Sequence, residues 1–221
     1  MQPLISDTPR TPKNPLRLCV FVSGNGSNLQ ALIDAANAPN TCFKIALVIS
    51  NIKNTFALGR AHAAGIPAVT ICHNDFSSRL DFEKTLITQC IDYHVELVVL
   101  AGFMRVLSPH FLSYFPNQVV NVHPALCPAF PGIHAARQAL ARGVKYAGCT
   151  DHLVHEGVDE GPIIAQAIVP VYPDDDENRL QKRIQIQEHL LLPKMIQEIA
   201  IGNVLIADSE ICLRKKSDPV I

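Results

Sequence analysis

No apolar run in the 221 residues reaches the roughly 20 needed to span a bilayer. Neither charge sign dominates: 19 Lys and Arg stand against 20 Asp and Glu, for a net charge of −1. Without a basic field or an acidic tail, nothing in the charge pattern calls for nucleic acid or a membrane surface as a partner. The opening stretch MQPLISDTPRTPKNP lacks the apolar core of a secretion signal, and its Pro, Thr, Ser and Asn read as a flexible arm over 1–15. The seven cysteines (19, 42, 72, 90, 127, 149 and 212) are odd in number and contain no CxxC pair. Several fall in apolar runs, so they read as small core residues of a reduced, cytoplasmic protein, not a disulfide framework or zinc knuckle. Internal repeats and a second domain are also missing, which leaves 16–221 as a single domain.

What is present is a regular alternation. Apolar runs of strand length at 16–23, 43–50, 66–71 and 97–100 alternate with helical patterns at 29–36, 55–64 and 78–93. Short connections between such units predict an α/β fold, a Rossmann-like, mostly parallel twisted sheet flanked by helices. Pro109 suits the first turn of a short helix, 134–141 reads as another, and strands are expected at 148–154 and 163–171. Asp174, Asp175 and Asp176 then cap a long C-terminal helix over 177–201, and 204–207 with 211–213 reads as a small hairpin.

Two stretches carry chemistry. The first is Gly24-Asn25-Gly26-Ser27-Asn28, between a strand and a helix. Its glycines let a ligand approach the backbone, and the helix start offers free N–H groups to a phosphate, with Ser27 and Asn28 as cap residues. No GK[ST] follows, and Leu29 holds the place of the third glycine of GxGxxG, so the loop suits a monophosphate. A capped turn without ligand is the plainer alternative. The second is 119–132, VVNVHPALCPAFPG. Alternation along a strand puts Asn121 and His123 on one face, ahead of a loop stiffened by Pro124, Pro128 and Pro131. A strand end that merely caps a turn is the alternative there. Between them, Met104, Arg105, Val106 and Leu107 follow a strand end at Gly102 and line a pocket for a flat ligand or form ordinary core. Downstream, Asp159 is expected to point inward, whereas Glu156 and Glu160 suit a solvated turn. His152, His155 and Asp159 are close in sequence but lack metal-ligand spacing, so no metal is assigned.

Four segments taken together, SGNGSNLQALIDA, VVLAGFMRVLSP, NVHPALCPAFPG with HAARQAL after it, and VDEGPII, resemble phosphoribosylglycinamide formyltransferase, the folate-dependent transformylase family of purine synthesis. The resemblance runs in order from about residue 16 to about residue 202. It implies a formyltransferase fold with Asn121, His123 and Asp159 as catalytic residues. It also implies binding of glycinamide ribonucleotide by Gly26, Ser27, Asn28 and Glu188. The folate site it implies comprises Arg79, Met104, Arg105, Val106, Leu107, Asn121, Glu156, Gly157, Val158, Glu160 and Gly161. The chain departs from the family pattern at Ala125, Cys127, Cys149 and Asp151, the last a position that is usually apolar.

The implied reaction moves a formyl group from N10 of 10-formyltetrahydrofolate, a co-substrate, to the amine of the ribonucleotide, without a metal, in a monomer or homodimer. Asn121 and His123 would serve the developing oxyanion, and Asp159 would hold His123 protonated and relay protons. Formyltetrahydrofolate deformylase would use the same three residues on water, but that family carries a regulatory domain where this chain has a short arm. Methionyl-tRNA formyltransferase would add a basic C-terminal domain. A non-catalytic phosphate- or folate-binding protein has no use for the three residues together.

Overall fold

The computed structural model describes residues 2–4, 9–207 and 210–214. In chain order it contains β1 (Gln2–Pro3), β2 (Leu16–Val22), α1 (Ser27–Ala36), β3 (Phe43–Ser50), α2 (Phe56–Ala63), β4 (Ala68–Thr70), α3 (Arg79–Asp92) and β5 (Leu97–Leu100). There follow α4 (Pro109–Tyr114), β6 (Val119–His123), α5 (Ala135–Arg142), β7 (Tyr146–Leu153), β8 (Ile163–Pro170), α6 (Glu177–Ala200), β9 (Val204–Ala207) and β10 (Glu210–Leu213). Seven strands form one sheet in the order β4-β3-β2-β5-β6-β7-β8. The first five pair in parallel, and β6–β7 and β7–β8 pair antiparallel. The loop from β7 to β8 contains no helix and is too short for a parallel crossover, which fixes the sense of that pair.

Apart from Arg17, strand β2 is apolar because helices cover both faces of the sheet. Leu18, Val20 and Val22 face α1 and α6, against Leu29, Leu32, Leu192 and Ile196. Cys19 and Phe21 face the other way, with Phe82, Leu86 and Phe111. The rings of Phe103 and Phe111 pack edge-on to Phe21, with centroids 5.2 and 5.8 Å away.

The helix starts follow the expected caps at two places. Ser78 accepts the Asp81 N–H ahead of α3, and Asp176 accepts the Arg179 N–H ahead of α6. The hairpin expected at the C-terminal end is present, and β1 joins it as a third strand against β9. The arm expected over 1–15 meets the body at further points. Leu4 donates to the Val204 carbonyl, Arg10 donates to the Ala200 carbonyl, and the Arg10 guanidinium pairs with Glu96.

Candidate active site

Strand β2 lies between β3 and β5. The chain leaves β2 for one side of the sheet and returns on the other, so the loops after β2 and β5 diverge and leave a crevice at their carboxyl ends. Ser23 ties its walls together: its hydroxyl donates to Asn51 Oδ1 at 2.6 Å and accepts the Met104 N–H at 2.8 Å.

The glycine loop is built differently from its expected form. Helix α1 starts at Ser27, two residues before the expected 29, so Gly26 is the N-cap, in left-handed geometry with φ 74°, and no side chain of the cap bonds the helix. Glycine is required there twice over, since a Cβ would also sit 2.6 Å from that of Ala57. Asn28 is therefore not a cap. Its Nδ2 donates to Glu188 Oε2 at 2.9 Å, inside the protein. The helix N-terminus thus keeps its positive end free of any side-chain acceptor. Arg60, which sequence reasoning did not single out, braces the loop from α2, its Nε donating to the Asn25 carbonyl at 3.0 Å and its Nη2 to Asn25 Oδ1 at 2.9 Å.

At the end of β6, Asn121 and His123 share a face as alternation requires, and Asp159 meets both. Asp159 Oδ1 accepts from Asn121 Nδ2 at 3.2 Å, and Oδ2 lies 3.3 Å from His123 Nδ1. The other His123 nitrogen, Nε2, is 2.9 Å from the Phe130 carbonyl oxygen. His123 thus stands between a carbonyl oxygen at Nε2 and the Asp159 carboxylate near Nδ1. The backbone of Asp159 is left-handed, φ 56°, and the Gly132 N–H donates to its Oδ2 at 2.8 Å. Burial alone would raise the Asp159 carboxyl. Its contact with His152, the Gly132 N–H and the charges of His123 and His152 outweigh that and hold it below the usual carboxylate range.

His152 is the member the sequence did not place in this cluster. In the antiparallel register it stands directly opposite Asn121. Its Nδ1 is 2.8 Å from the Leu153 carbonyl oxygen, and its Nε2 lies 3.1 Å from Asn121 Nδ2 and 3.6 Å from Asp159 Oδ1. Strand β7 ends at Leu153, so His155 falls beyond it. Thr150, two residues before His152, anchors the proline loop: its hydroxyl donates to the Ala125 carbonyl and accepts the Cys127 N–H. Among the described residues no group of three or more His, Cys, Asp or Glu could hold a metal ion.

One cleft of about 770 Å³ joins these parts, within the size range of small-molecule sites. Gly24 to Asn28 and Glu188 line it, as do Asn121, His123, His152 and Asp159. Its remaining wall includes Met104, Arg105, Val106 and Leu107, with Gly157 and Val158. Met104 and Val106 are exposed apolar side chains there, while Leu107 is part of the core. Arg79, Glu156, Glu160 and Gly161 do not line the cleft. Arg79 braces its wall instead, donating to Glu83 Oε1 at 3.0 Å and to the Val106 carbonyl at 2.6 Å. Glu156 and Glu160 are exposed, and Gly161 packs where a Cβ would meet the Leu153 carbonyl oxygen at 1.8 Å.

Known proteins share this fold. The family model described as formyl transferase matches residues 16–196. Phosphoribosylglycinamide formyltransferase of Escherichia coli (strain K12) is 42% identical over 189 residues, covering 86% of this chain and 89% of that protein. The trifunctional purine biosynthetic protein adenosine-3 of Drosophila melanogaster is 47% identical over 193 residues; the match covers 86% of this chain but only 14% of that much longer protein. The crystal structure of glycinamide ribonucleotide transformylase 1 from Symbiobacterium toebii superposes with a TM-score of 0.89 at 42% identity, over 91% of this chain and 95% of that one. On a family match that spans most of its length, and on the fold that match predicts, this chain belongs to the formyl transferase family.

Proposed function

We propose that this chain transfers the formyl group of 10-formyltetrahydrofolate to the amine of glycinamide ribonucleotide, giving formylglycinamide ribonucleotide and tetrahydrofolate in the purine biosynthetic route. The observation that carries the reading is that one cleft holds both an uncapped helix N-terminus and the Asn121–His123–Asp159 cluster. The first suits the ribonucleotide phosphate, and Glu188 beside it suits the ribose hydroxyls as an acceptor. The exposed apolar wall at Met104 and Val106 suits the flat pterin ring of the donor. The names of the relatives agree with this reading.

The chemistry follows from the cluster. The amine nitrogen attacks the formyl carbon, negative charge develops on the formyl oxygen, and the bond from carbon to N10 then breaks. In the free protein Asn121 Nδ2 donates to an anion, the Asp159 carboxylate, and His123 Nδ1 lies 3.3 Å from it. Donors already arranged around one negative charge need little reorganisation to serve another. The formyl oxygen takes the place of the carboxylate at these donors. The displaced Asp159 accepts a proton from the attacking amine and passes it, directly or through water, to the departing N10. Holding the two substrates in one cleft contributes the remainder, because the amine needs no enzyme nucleophile.

The test is an absorbance assay for loss of the 10-formyl donor, run with and without glycinamide ribonucleotide. Loss that requires the ribonucleotide is expected. Loss without it would make the chain a hydrolase, and no loss in either case would overturn the reading.

A further inference from the structure

Behind the cleft, on the face of β7 opposite to His152, lies a carboxylate that the mechanism does not use. Asp151 is fully buried, and neither of its oxygens has a hydrogen-bond partner among the described residues. Its register partners are apolar: Val122 on β6 and Ala165 on β8. Cys149, two residues back on the same face of β7, packs in one cluster with Ile184 of α6, and the buried Glu188 stands one turn further along that helix. Helix α1 adds only the uncharged Asn28, whose amide is committed to Glu188. Among the described residues no Lys, Arg or His pairs with Asp151, and the like charge of Glu188 acts on it. A lone carboxylate in such a place would face both the loss of its hydration and the repulsion of a second one.

We propose that Asp151 and Glu188 form a carboxyl pair that holds a single negative charge, with Asp151 the neutral acid, and that Asp151 is a positioning residue whose ionisation sets the charge around Glu188 at the nucleotide end of the cleft. Asn28 decides which member ionises. Its N–H stabilises a charge on Glu188, whereas Asp151 has no donor at all. Burial and the Glu188 charge push the Asp151 carboxyl well above its usual range, and burial also raises Glu188, partly offset by Asn28. The same surroundings push the Cys149 thiol up to about 12, so it stays neutral beside them. An apolar residue at 151 would leave Glu188 an anion at all pH values above its own titration. Asp151 instead adds a second negative charge as pH rises through its raised titration, next to the site proposed for a phosphorylated ligand.

Two measurements test this. Infrared spectra of the free protein, recorded from about pH 6 to about pH 10, should show a protonated-carboxyl C=O band that disappears on ionisation. Asp151→Asn should abolish the band. Glu188→Gln removes the like charge and should make it titrate at lower pH. A wild-type spectrum without the band, or a band unchanged in both variants, would overturn the pairing. Glu188→Gln is read alone should Asp151→Asn fail to fold. The second measurement rests on the function proposed above: KM for glycinamide ribonucleotide should rise roughly tenfold in the wild type as pH passes through the ionisation seen in the infrared, with kcat little changed, and should stay flat in Asp151→Asn. Equal KM profiles in the two proteins would overturn the link to Glu188. Absence of turnover would fault the proposed function alone, since the infrared arm needs no substrate.

Discussion

Replacing Asp159 by asparagine removes one charge while keeping the size of the side chain. The carboxylate takes the Gly132 N–H at 2.8 Å and the Asn121 amide at 3.2 Å, and it lies 3.3 Å from His123 Nδ1. An asparagine can satisfy two of these contacts with its oxygen, and its NH2 must then meet a donor. Hydrogen bonds to a charged group contribute about 1.5–3 kcal/mol each, so we expect a net stability loss of roughly 1–3 kcal/mol at neutral pH. The sign with pH is fixed by the direction of the Asp159 shift. Its carboxyl is held below the ordinary range, so the folded state releases its proton more readily than the unfolded chain. That stabilisation is complete above the unfolded value of about 3.9 and is lost as pH falls through the folded value. The gap between wild type and Asp159→Asn in urea unfolding should therefore be constant near neutrality and close in acid. The formyl-transfer rate should fall about 10²–10⁴-fold, the usual size of a general acid–base contribution. A folded variant that retains more than about a tenth of the wild-type rate would refute the role given to Asp159.

Three further substitutions address the scaffold. Gly26→Ala forces a side chain into left-handed geometry 2.6 Å from the Ala57 Cβ. The conformation alone costs roughly 1–2 kcal/mol, so KM for the ribonucleotide should rise while kcat holds; an unchanged KM would argue against a phosphate at this helix end. Gly161→Ala places a Cβ 1.8 Å from the Leu153 carbonyl oxygen, beside His152. A displacement of about 1 Å there should lower kcat about 10²-fold with the fold retained by circular dichroism. Thr150→Val leaves the Ala125 carbonyl and the Cys127 N–H without their present partner. Each buried group left unpaired costs about 1–3 kcal/mol, which thermal and urea unfolding would register together.

The strands and helices were legible because their signals are local. The run 43–50 and the strand 97–100 have the bounds expected of them, and Ser78 and Asp176 cap as their sequence neighbourhoods indicate. The start of α1 is not legible in this way: Ser27 and Asn28 are good cap residues, yet close packing of Ala57 leaves room only for a left-handed glycine as the cap. Arg79 resembled a cleft residue by alignment of a motif. In the structure its planar group is spent on Glu83 and the Val106 carbonyl.

From the sequence alone came the side-by-side placement of Asn121 and His123, since a strand's period of two fixes it, and the requirement for a flexible backbone at the glycine loop. The meeting of Asp159 and His152 with that pair depends on the antiparallel register of β6 and β7, and a register is a choice between strands that no single stretch encodes. The same register turns Asp151 away from His152 and towards α6, where Glu188 arrives from a helix that begins far along the chain. Local chemistry named the acids and the imidazoles. Packing of the sheet against α6 decided which of them lie close enough to share charge, because electrostatic coupling depends on separation in space and on exclusion of water.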